Sequence, residues 1–325
     1  MESWIEWSVS LIAWLQGLGA WLVGPMKALS FLGEELFALI IMPLVLWCID
    51  PNLGIRLGLI LVSSNTINGI LKISFGLPRP YWITDRVRAY ASETSFGLPS
   101  GHSQNALAFW GRLAAAAKSR WIRAGLGILI FLISISRLYL AVHFPMDVLA
   151  GWGTGALLLA LFIVLEPAFL RAWSRISLGA RIALCIAFSL ALLGVGLAAS
   201  AATAGRPVPG EWIEGAAANL PGSPAIEPRS IEVFFSGAGA FLGISLGAVL
   251  LAASGGFQVR GSLGKRALRY VVGLAGMLVI YFGLRLILPD GPFLLGQILR
   301  YLRYALVGLW AVYLAPRAFV RLRLA

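Results

Sequence analysis

The chain of 325 residues carries only two histidines, His102 and His143, and each stands beside a different expected helix end. Two separated imidazoles suit in-line phosphoryl transfer: a nucleophile needs one face of the phosphorus, and a proton donor must reach the leaving oxygen on the opposite side. Both histidines belong to polar segments that interrupt otherwise apolar sequence, and a third such segment precedes them. That segment, Lys72-Ile73-Ser74-Phe75-Gly76-Leu77-Pro78-Arg79-Pro80, puts an ammonium and a guanidinium where an apolar run ends. A point charge and a planar fork together suit phosphate oxygens. Snorkelling of long basic side chains at a helix end accounts for this pair equally well.

The segment around His102 reads Phe96-Gly97-Leu98-Pro99-Ser100-Gly101-His102-Ser103. It gathers backbone N–H groups, a hydroxyl and an imidazole at the start of a predicted helix, where the first N–H groups lack intrahelical partners and anions are favoured. Ser100 taken alone is also an ordinary N-cap. The segment around His143 reads Ser136-Arg137-Leu138-Tyr139-Leu140-Ala141-Val142-His143-Phe144-Pro145-Met146-Asp147. Arg137 lies about 9 Å along a helix from His143, inside the membrane boundary, where an ionisable group by default faces a functional interior. Pro145 opens the next helix and puts Asp147 in its first turn, within reach of the His143 ring. A carboxylate there fixes the imidazole tautomer and stabilises its cation, although pairing with the helix dipole also explains it. Lys72, Arg79 and Arg137 together match the three equatorial oxygens of a phosphoryl group in flight.

These segments must be positioned by membrane helices. Hydrophobic residues make up 59% of the chain and charged residues 12%, about half the charge of an ordinary soluble domain. Apolar runs predict an all-α, polytopic bundle with about nine spans, near 28–48, 54–75, 102–118, 122–141, 145–166, 180–201, 232–253, 267–288 and 294–315. Basic residues crowd alternate loops: Arg56; Lys118, Arg120 and Arg123; Arg171, Arg175 and Arg181; Arg260, Lys265, Arg266 and Arg269; Arg317, Arg321 and Arg323. Those loops are expected inside. Loops 76–101, 142–144, 202–231 and 289–293, with Asp85, Glu93, Glu211, Glu214, Glu227 and Asp290, are expected to face the periplasm or exterior, and the three polar segments with them. The net charge of +12 then follows from topology and calls for no nucleic acid. Cys48 and Cys185 lie in apolar sequence and read as small core residues.

Residues 1–27 are expected to form an amphipathic interfacial helix, because Trp4, Trp7, Leu11, Trp14, Leu18 and Trp21 make one helical stripe. A tenth span is the alternative. Glu2 and Glu6 stand where a secretory leader would carry Lys or Arg, so internal spans are expected to direct insertion. Residues 28–201 are expected to form the core, and 202–325 an outer loop with a three-helix extension. Arg285, Arg300 and Arg303 in that extension are expected to pair with Glu34 and Glu35 or to meet a lipid headgroup.

The three segments, complete and in order, resemble the signature of the type-2 phosphatidic acid phosphatase superfamily: a Lys…Arg-Pro segment, a Pro-Ser-Gly-His segment and a Ser-Arg…His…Asp segment. The resemblance spans roughly residues 28–200. It implies a six-helix phosphatase core with an outward-facing site and a phosphohistidine intermediate formed by His143. By the same resemblance Asp147 orients His143, His102 protonates the leaving oxygen and later activates water, and Lys72, Arg79, Ser100, Gly101 and Arg137 bind phosphate. No metal and no cofactor are implied, in keeping with a site lacking clustered carboxylates. The implied activity is hydrolysis of a membrane lipid phosphate or diphosphate in the integral cell membrane. Undecaprenyl diphosphate leads the candidates, ahead of phosphatidate-like and sphingoid-base phosphates. A lipid-linked phosphotransferase using the same phosphohistidine is one alternative, and a non-catalytic lipid-phosphate binder or transporter is another. The related vanadium haloperoxidases are soluble, unlike a chain with this many apolar spans.

Overall fold

The computed structural model describes residues 2–324 apart from Asp290 and Pro292, so Asp290, counted above with the outer-loop acids, lies outside the described residues. All regular structure among the described residues is helical: α1 (Glu2–Gly17), a short 3-10 turn (Ala20–Leu22), α2 (Val23–Phe31), α3 (Glu35–Cys48), α4 (Pro51–Phe75), α5 (Pro80–Ile83), α6 (Gly101–Ala116), α7 (Arg120–Tyr139), α8 (Pro145–Ser174), α9 (Leu178–Ala202), α10 (Gly210–Asn219), α11 (Glu232–Ala253), α12 (Leu263–Ile287), α13 (Leu294–Leu309), a π-helical turn (Trp310–Leu314) and α14 (Ala315–Arg321).

Seven stretches among the described residues are long and apolar enough to cross a membrane: α4 with α5, α7, α8, α9, α11, α12, and α13 through α14. An eighth follows if α1 and the Ala20–Phe31 segment form one broken span, bent by 89°. The chain is thus a polytopic membrane bundle, and of the nine expected runs two form helices too short or too polar to count among these stretches. The run 28–48 is cut at Gly33-Glu34, leaving α3 with 14 residues, about 21 Å of helix against a hydrocarbon core of roughly 30 Å. The run 102–118 becomes α6, which has 16 residues and buries Ser103, Gln104, Asn105 and Arg112. Its polar groups turn into the protein, which is why it falls short of those seven stretches in length and apolar composition.

The chain divides into two compact units, and each draws on separate stretches of sequence. The first comprises residues 1–38, 67–160 and 198–230 and holds every candidate site residue. In it, α1 packs Val9 and Ile12 against Leu138, Phe144 and Val148, while Trp7, Trp14, Leu18 and Trp21 on the expected stripe are exposed. Helix α10 sits on α5, where Asn219 donates to the carbonyls of Tyr81 and Thr84 at 2.9 and 3.1 Å.

The second unit comprises residues 39–66, 161–197 and 231–325. Here α11 presents Gly239, Gly243 and Gly247 to α13 and the π-helical turn, and a methyl added at Gly247 would stand 2.9 Å from the Val312 side chain. Small residues at four-residue spacing let membrane helices approach this closely. Arg300 pairs with Glu232 at 2.9 Å, a neighbour not anticipated, and Arg303 lies over the rings of Tyr281 and Tyr304. These neighbours stand on α11, α12 and α13.

Candidate active site

Three helix boundaries place the functional side chains. The first is the end of α4, where Gly76 adopts φ +63° and its N–H bonds back to the Lys72 carbonyl at 2.9 Å. Glycine closes a helix this way without a Cβ clash. The chain then turns so that Arg79 caps α5, whose first residue is Pro80. The second boundary is the start of α6, where the Ser100 hydroxyl accepts from the Ser103 N–H at 3.4 Å and from its hydroxyl at 3.1 Å. Ser100 is therefore the N-cap, and its own proton remains available to an outside acceptor. Gly101 follows because a Cβ there would lie 3.0 Å from Asn68 Oδ1.

The third boundary joins α7 to α8. The Ala141 N–H bonds to Leu138 at 2.9 Å and the Val142 N–H to Arg137 at 3.2 Å, the two bonds of a Schellman stop. Ala141 occupies the left-handed position with φ 57°, where glycine is usual and another residue is strained by about 1 kcal/mol. Arg137 lies before this turn and His143 after it. Pro145 then begins α8 with Asp147 in its first turn.

His143 stands between two groups of fixed role. Its Nδ1 is 3.1 Å from Asp147 Oδ2, an oxygen also held by the Phe144 N–H at 2.9 Å. Its Nε2 is 3.1 Å from Arg79 Nη1. A guanidinium can only donate, so Nε2 must carry the lone pair and Nδ1 the hydrogen that points at Asp147. Burial first, then the positive charges of Arg79, Lys72 and Arg137, push the His143 imidazole well below its ordinary range. The result is a neutral ring with its lone pair aimed into the cluster.

Arg79 is wholly buried and spends its remaining N–H groups on three carbonyls and one hydroxyl. It donates to Ser95 O at 2.6 Å, Val142 O at 2.8 Å and Phe96 O at 3.1 Å, and to the Ser95 hydroxyl at 3.1 Å. Lys72 donates to that same hydroxyl at 2.8 Å. Arg137 bonds to the Ser30 hydroxyl and to Glu93 Oε1. The other Glu93 oxygen lies 3.6 Å from Arg79, and Glu93 Oε1 lies 3.9 Å from His102 Nδ1. The structure thus brings Lys72, Arg79, His102, Arg137, His143 and Asp147 into one network, joined to Ser100 by its N–H bond to the Asp147 carbonyl at 2.8 Å.

Two buried nitrogens in this network, Arg137 Nε and His102 Nε2, have no hydrogen-bond partner among the described residues. Buried polar groups are ordinarily paired, and either nitrogen could bond to an acceptor brought into the cluster. A cluster of cations with donors converging from several helices can hold a tetrahedral anion and stabilise charge that develops on it.

Sequence reasoning missed Glu93, Ser95 and Ser30. Glu93 was read only as an acidic marker of an outer loop. Burial alone would raise its carboxyl, but Arg79, then Arg137, His102 and Lys72, hold it well below the usual carboxylate range. Three buried cations in one cluster require a counter-charge, and that requirement was the available signal. No comparable cue marked Ser30, which comes from α2, or Ser95.

Comparison with known proteins gives the family. The PAP2 superfamily matches residues 53–171, and the PAP2 superfamily phosphatase transmembrane extension matches residues 235–325. The chain is 32% identical over 142 residues to a probable sphingosine-1-phosphate phosphatase of Dictyostelium discoideum, covering 38% of this chain and 34% of that protein. It is 30% identical over 183 residues to glucose-6-phosphatase 3 of Homo sapiens, covering 49% and 53%. It is 32% identical over 118 residues to phosphatidylglycerophosphatase B of Bacillus subtilis (strain 168), covering 32% and 54%. The chain thus spans from about a third to about half the length of these curated relatives. With both matched segments in order, and with the three polar segments meeting around His143, the chain belongs to the PAP2 superfamily of phosphatases and carries that superfamily's transmembrane extension.

Proposed function

We propose that the chain hydrolyses a membrane lipid phosphate or diphosphate through a phosphohistidine on His143, without a metal. The observation that carries this reading is the line Asp147–His143–Arg79, which leaves a lone pair on Nε2 inside a cluster of three cations. Nε2 attacks phosphorus as the bond to the leaving oxygen breaks, and that oxygen takes a proton from His102. Water then attacks the phosphohistidine and gives its proton to His102. The Arg79 donor now resting on Nε2 shifts to a phosphate oxygen, which frees the lone pair at the moment of attack. Lys72, Arg137, the Ser100 hydroxyl and the first N–H groups of α6 hold the other oxygens.

A lipid substrate is favoured because Lys72 and Arg137 stand near the ends of apolar helices long enough to cross a membrane, which would set the cluster near headgroup depth. Two of the relatives are named for lipid phosphates. The glucose-6-phosphatase relative makes a soluble sugar phosphate the second reading. The purified protein, in chelator and without added acceptor, should release inorganic phosphate from at least one of undecaprenyl diphosphate, phosphatidate and a sphingoid-base phosphate. Release from glucose 6-phosphate alone would replace the lipid reading. Phosphate transfer that requires an acceptor alcohol would make the protein a phosphotransferase, and lipid binding without turnover would make it a binder.

A pH profile checks the state of His143. Its folded pKa is depressed below the ordinary 6.5, so the ring stays neutral as pH falls through that value. The acid limb of kcat/KM should therefore lie below pH 6.5. An acid limb above it would mean that the nucleophile is protonated at rest.

The site is further proposed to face the periplasm or exterior, with the short α6 crossing between the site and Lys118–Arg123, because the basic loops around Lys118–Arg123 and Arg171–Arg181 are expected inside. Single cysteines at Ser92 and Ser119, in a chain lacking Cys48 and Cys185, should separate the sides. An impermeant maleimide applied to intact cells should label position 92 and spare position 119, and the opposite pattern would reverse the orientation.

A further inference from the structure

We propose that Glu93 is the positioning carboxylate of His102, so that each imidazole of the site works with its own carboxylate: His143 with Asp147, and His102 with Glu93. The proposal rests on the phosphatase reading above and adds to it the group that prepares the proton donor.

The backbone at Glu93 is fixed on both sides. The Tyr81 hydroxyl accepts from the Glu93 N–H and donates to the Glu93 carbonyl, both at 3.0 Å. The next carbonyl, Thr94 O, accepts from the Glu227 N–H at 3.1 Å, and Ser95 is gripped by Lys72 and Arg79. A loop residue held this closely presents its side chain at a set point. That point puts Oε1 on Arg137 and 3.9 Å from His102 Nδ1, a separation that tightens to a hydrogen bond when a site closes on substrate. The opposite ring nitrogen, Nε2, is buried and has no hydrogen-bond partner among the described residues.

The chemistry requires such a carboxylate. A proton donor must begin as imidazolium, yet burial first, then the positive charges of Arg137 on α7, Lys72 on α4 and Arg79 ahead of α5, push His102 well below its ordinary range in the unliganded site, with Glu93 opposing them. Glu93 is the carboxylate whose charge acts on His102 directly, and Glu34, ahead of α3, faces Arg137 and Glu93. With Nδ1–H directed at Glu93, the Nε2 proton is the one that passes to the leaving oxygen as the P–O bond breaks. His102 is then neutral, with Nδ1–H still held, and Nε2 recovers a proton from the attacking water. A rival role is equally concrete, since Glu93 lies on two arginines and would act as a placeholder for phosphate that departs when substrate arrives.

Leaving-group dependence separates the roles. A long-chain alkyl phosphate expels a poor leaving group that needs a proton, whereas a nitrophenyl phosphate expels one that does not. In Glu93→Gln, turnover of the alkyl ester should fall on the order of 10²–10³-fold and turnover of the nitrophenyl ester at most about tenfold. Vanadate inhibition should not weaken. The basic limb of the alkyl-ester profile should move to lower pH, because imidazolium loses its counter-charge. Glu93→Asp, which keeps the charge on a shorter arm, should show the same pattern with smaller losses and carries the comparison if Glu93→Gln does not fold. Equal losses on both esters would overturn the proposal. Tighter vanadate inhibition with undiminished turnover would also overturn it, in favour of the placeholder. Wild-type protein that hydrolyses neither ester would overturn the phosphatase reading and this assignment with it.

Discussion

Replacing His143 by alanine is expected to abolish turnover, with a loss on the order of 10⁴-fold or more, because the variant has no route through a covalent intermediate. Asp147→Asn should cost less, on the order of 10²–10³-fold. The amide still meets the ring, but the charge that steadies the imidazolium character of the transition state is gone. Rapid acid quench of the wild-type protein with labelled substrate should trap an acid-labile phosphoryl adduct, and His143→Ala should trap none. A wild-type protein that turns over without any such adduct would sink the covalent route. Lipid binding that survives in His143→Ala would show that the loss is chemical rather than structural.

Arg79→Lys should be nearly as damaging, and for two separable reasons. The guanidinium serves Ser95 O, Val142 O, Phe96 O and the His143 lone pair at once. An ammonium cannot reproduce that fork. Carbonyls left unpaired in a buried setting cost about 1–3 kcal/mol each, so thermal unfolding in detergent should shift downward. Loss of one preorganised donor at a developing oxyanion costs on the order of 10²–10³ in kcat, and loosening of the 93–96 loop adds to it. Retention of more than about a tenth of wild-type kcat would show that Arg79 supports the loop without cradling phosphate.

The candidate site was largely legible in the sequence because its chemistry is concentrated in few residue types. The chain has two histidines, and intramembrane arginines and lysines are costly enough that Lys72, Arg79 and Arg137 stood out from apolar surroundings. Glu93 did not stand out, since an acidic residue in a polar loop is unremarkable until the loop is seen folded back on Arg79 and Arg137. Hydropathy gave most of the helices for a similar reason. It read 28–48 as one long run and 102–118 as an apolar one, where a window average conceals a local break at Gly33-Glu34 and an inward polar face at Gln104 and Asn105. The N-cap reading and the phosphate reading of Ser100 proved compatible, because a hydroxyl that accepts in a cap still has a proton to give.

The meeting of Lys72, Arg79 and Arg137 also bears on a competitor that soluble phosphatases never face at such density, the bilayer itself. Every neighbouring phospholipid carries a phosphate at about the depth proposed for the substrate. Those matrix phosphates are diesters, with two terminal oxygens and a single negative charge. A monoester, like the end group of a diphosphate, offers three terminal oxygens and approaches two charges near neutral pH. Under the proposed reading, a pocket lined by three cations leaves one of them unmatched when a diester enters, and burying an unmatched charge is expensive. The same three residues that bind the reacting phosphoryl group therefore keep the surrounding solvent of headgroups from acting as an inhibitor. Counting terminal oxygens, rather than recognising the lipid chain, becomes the first test that a substrate must pass.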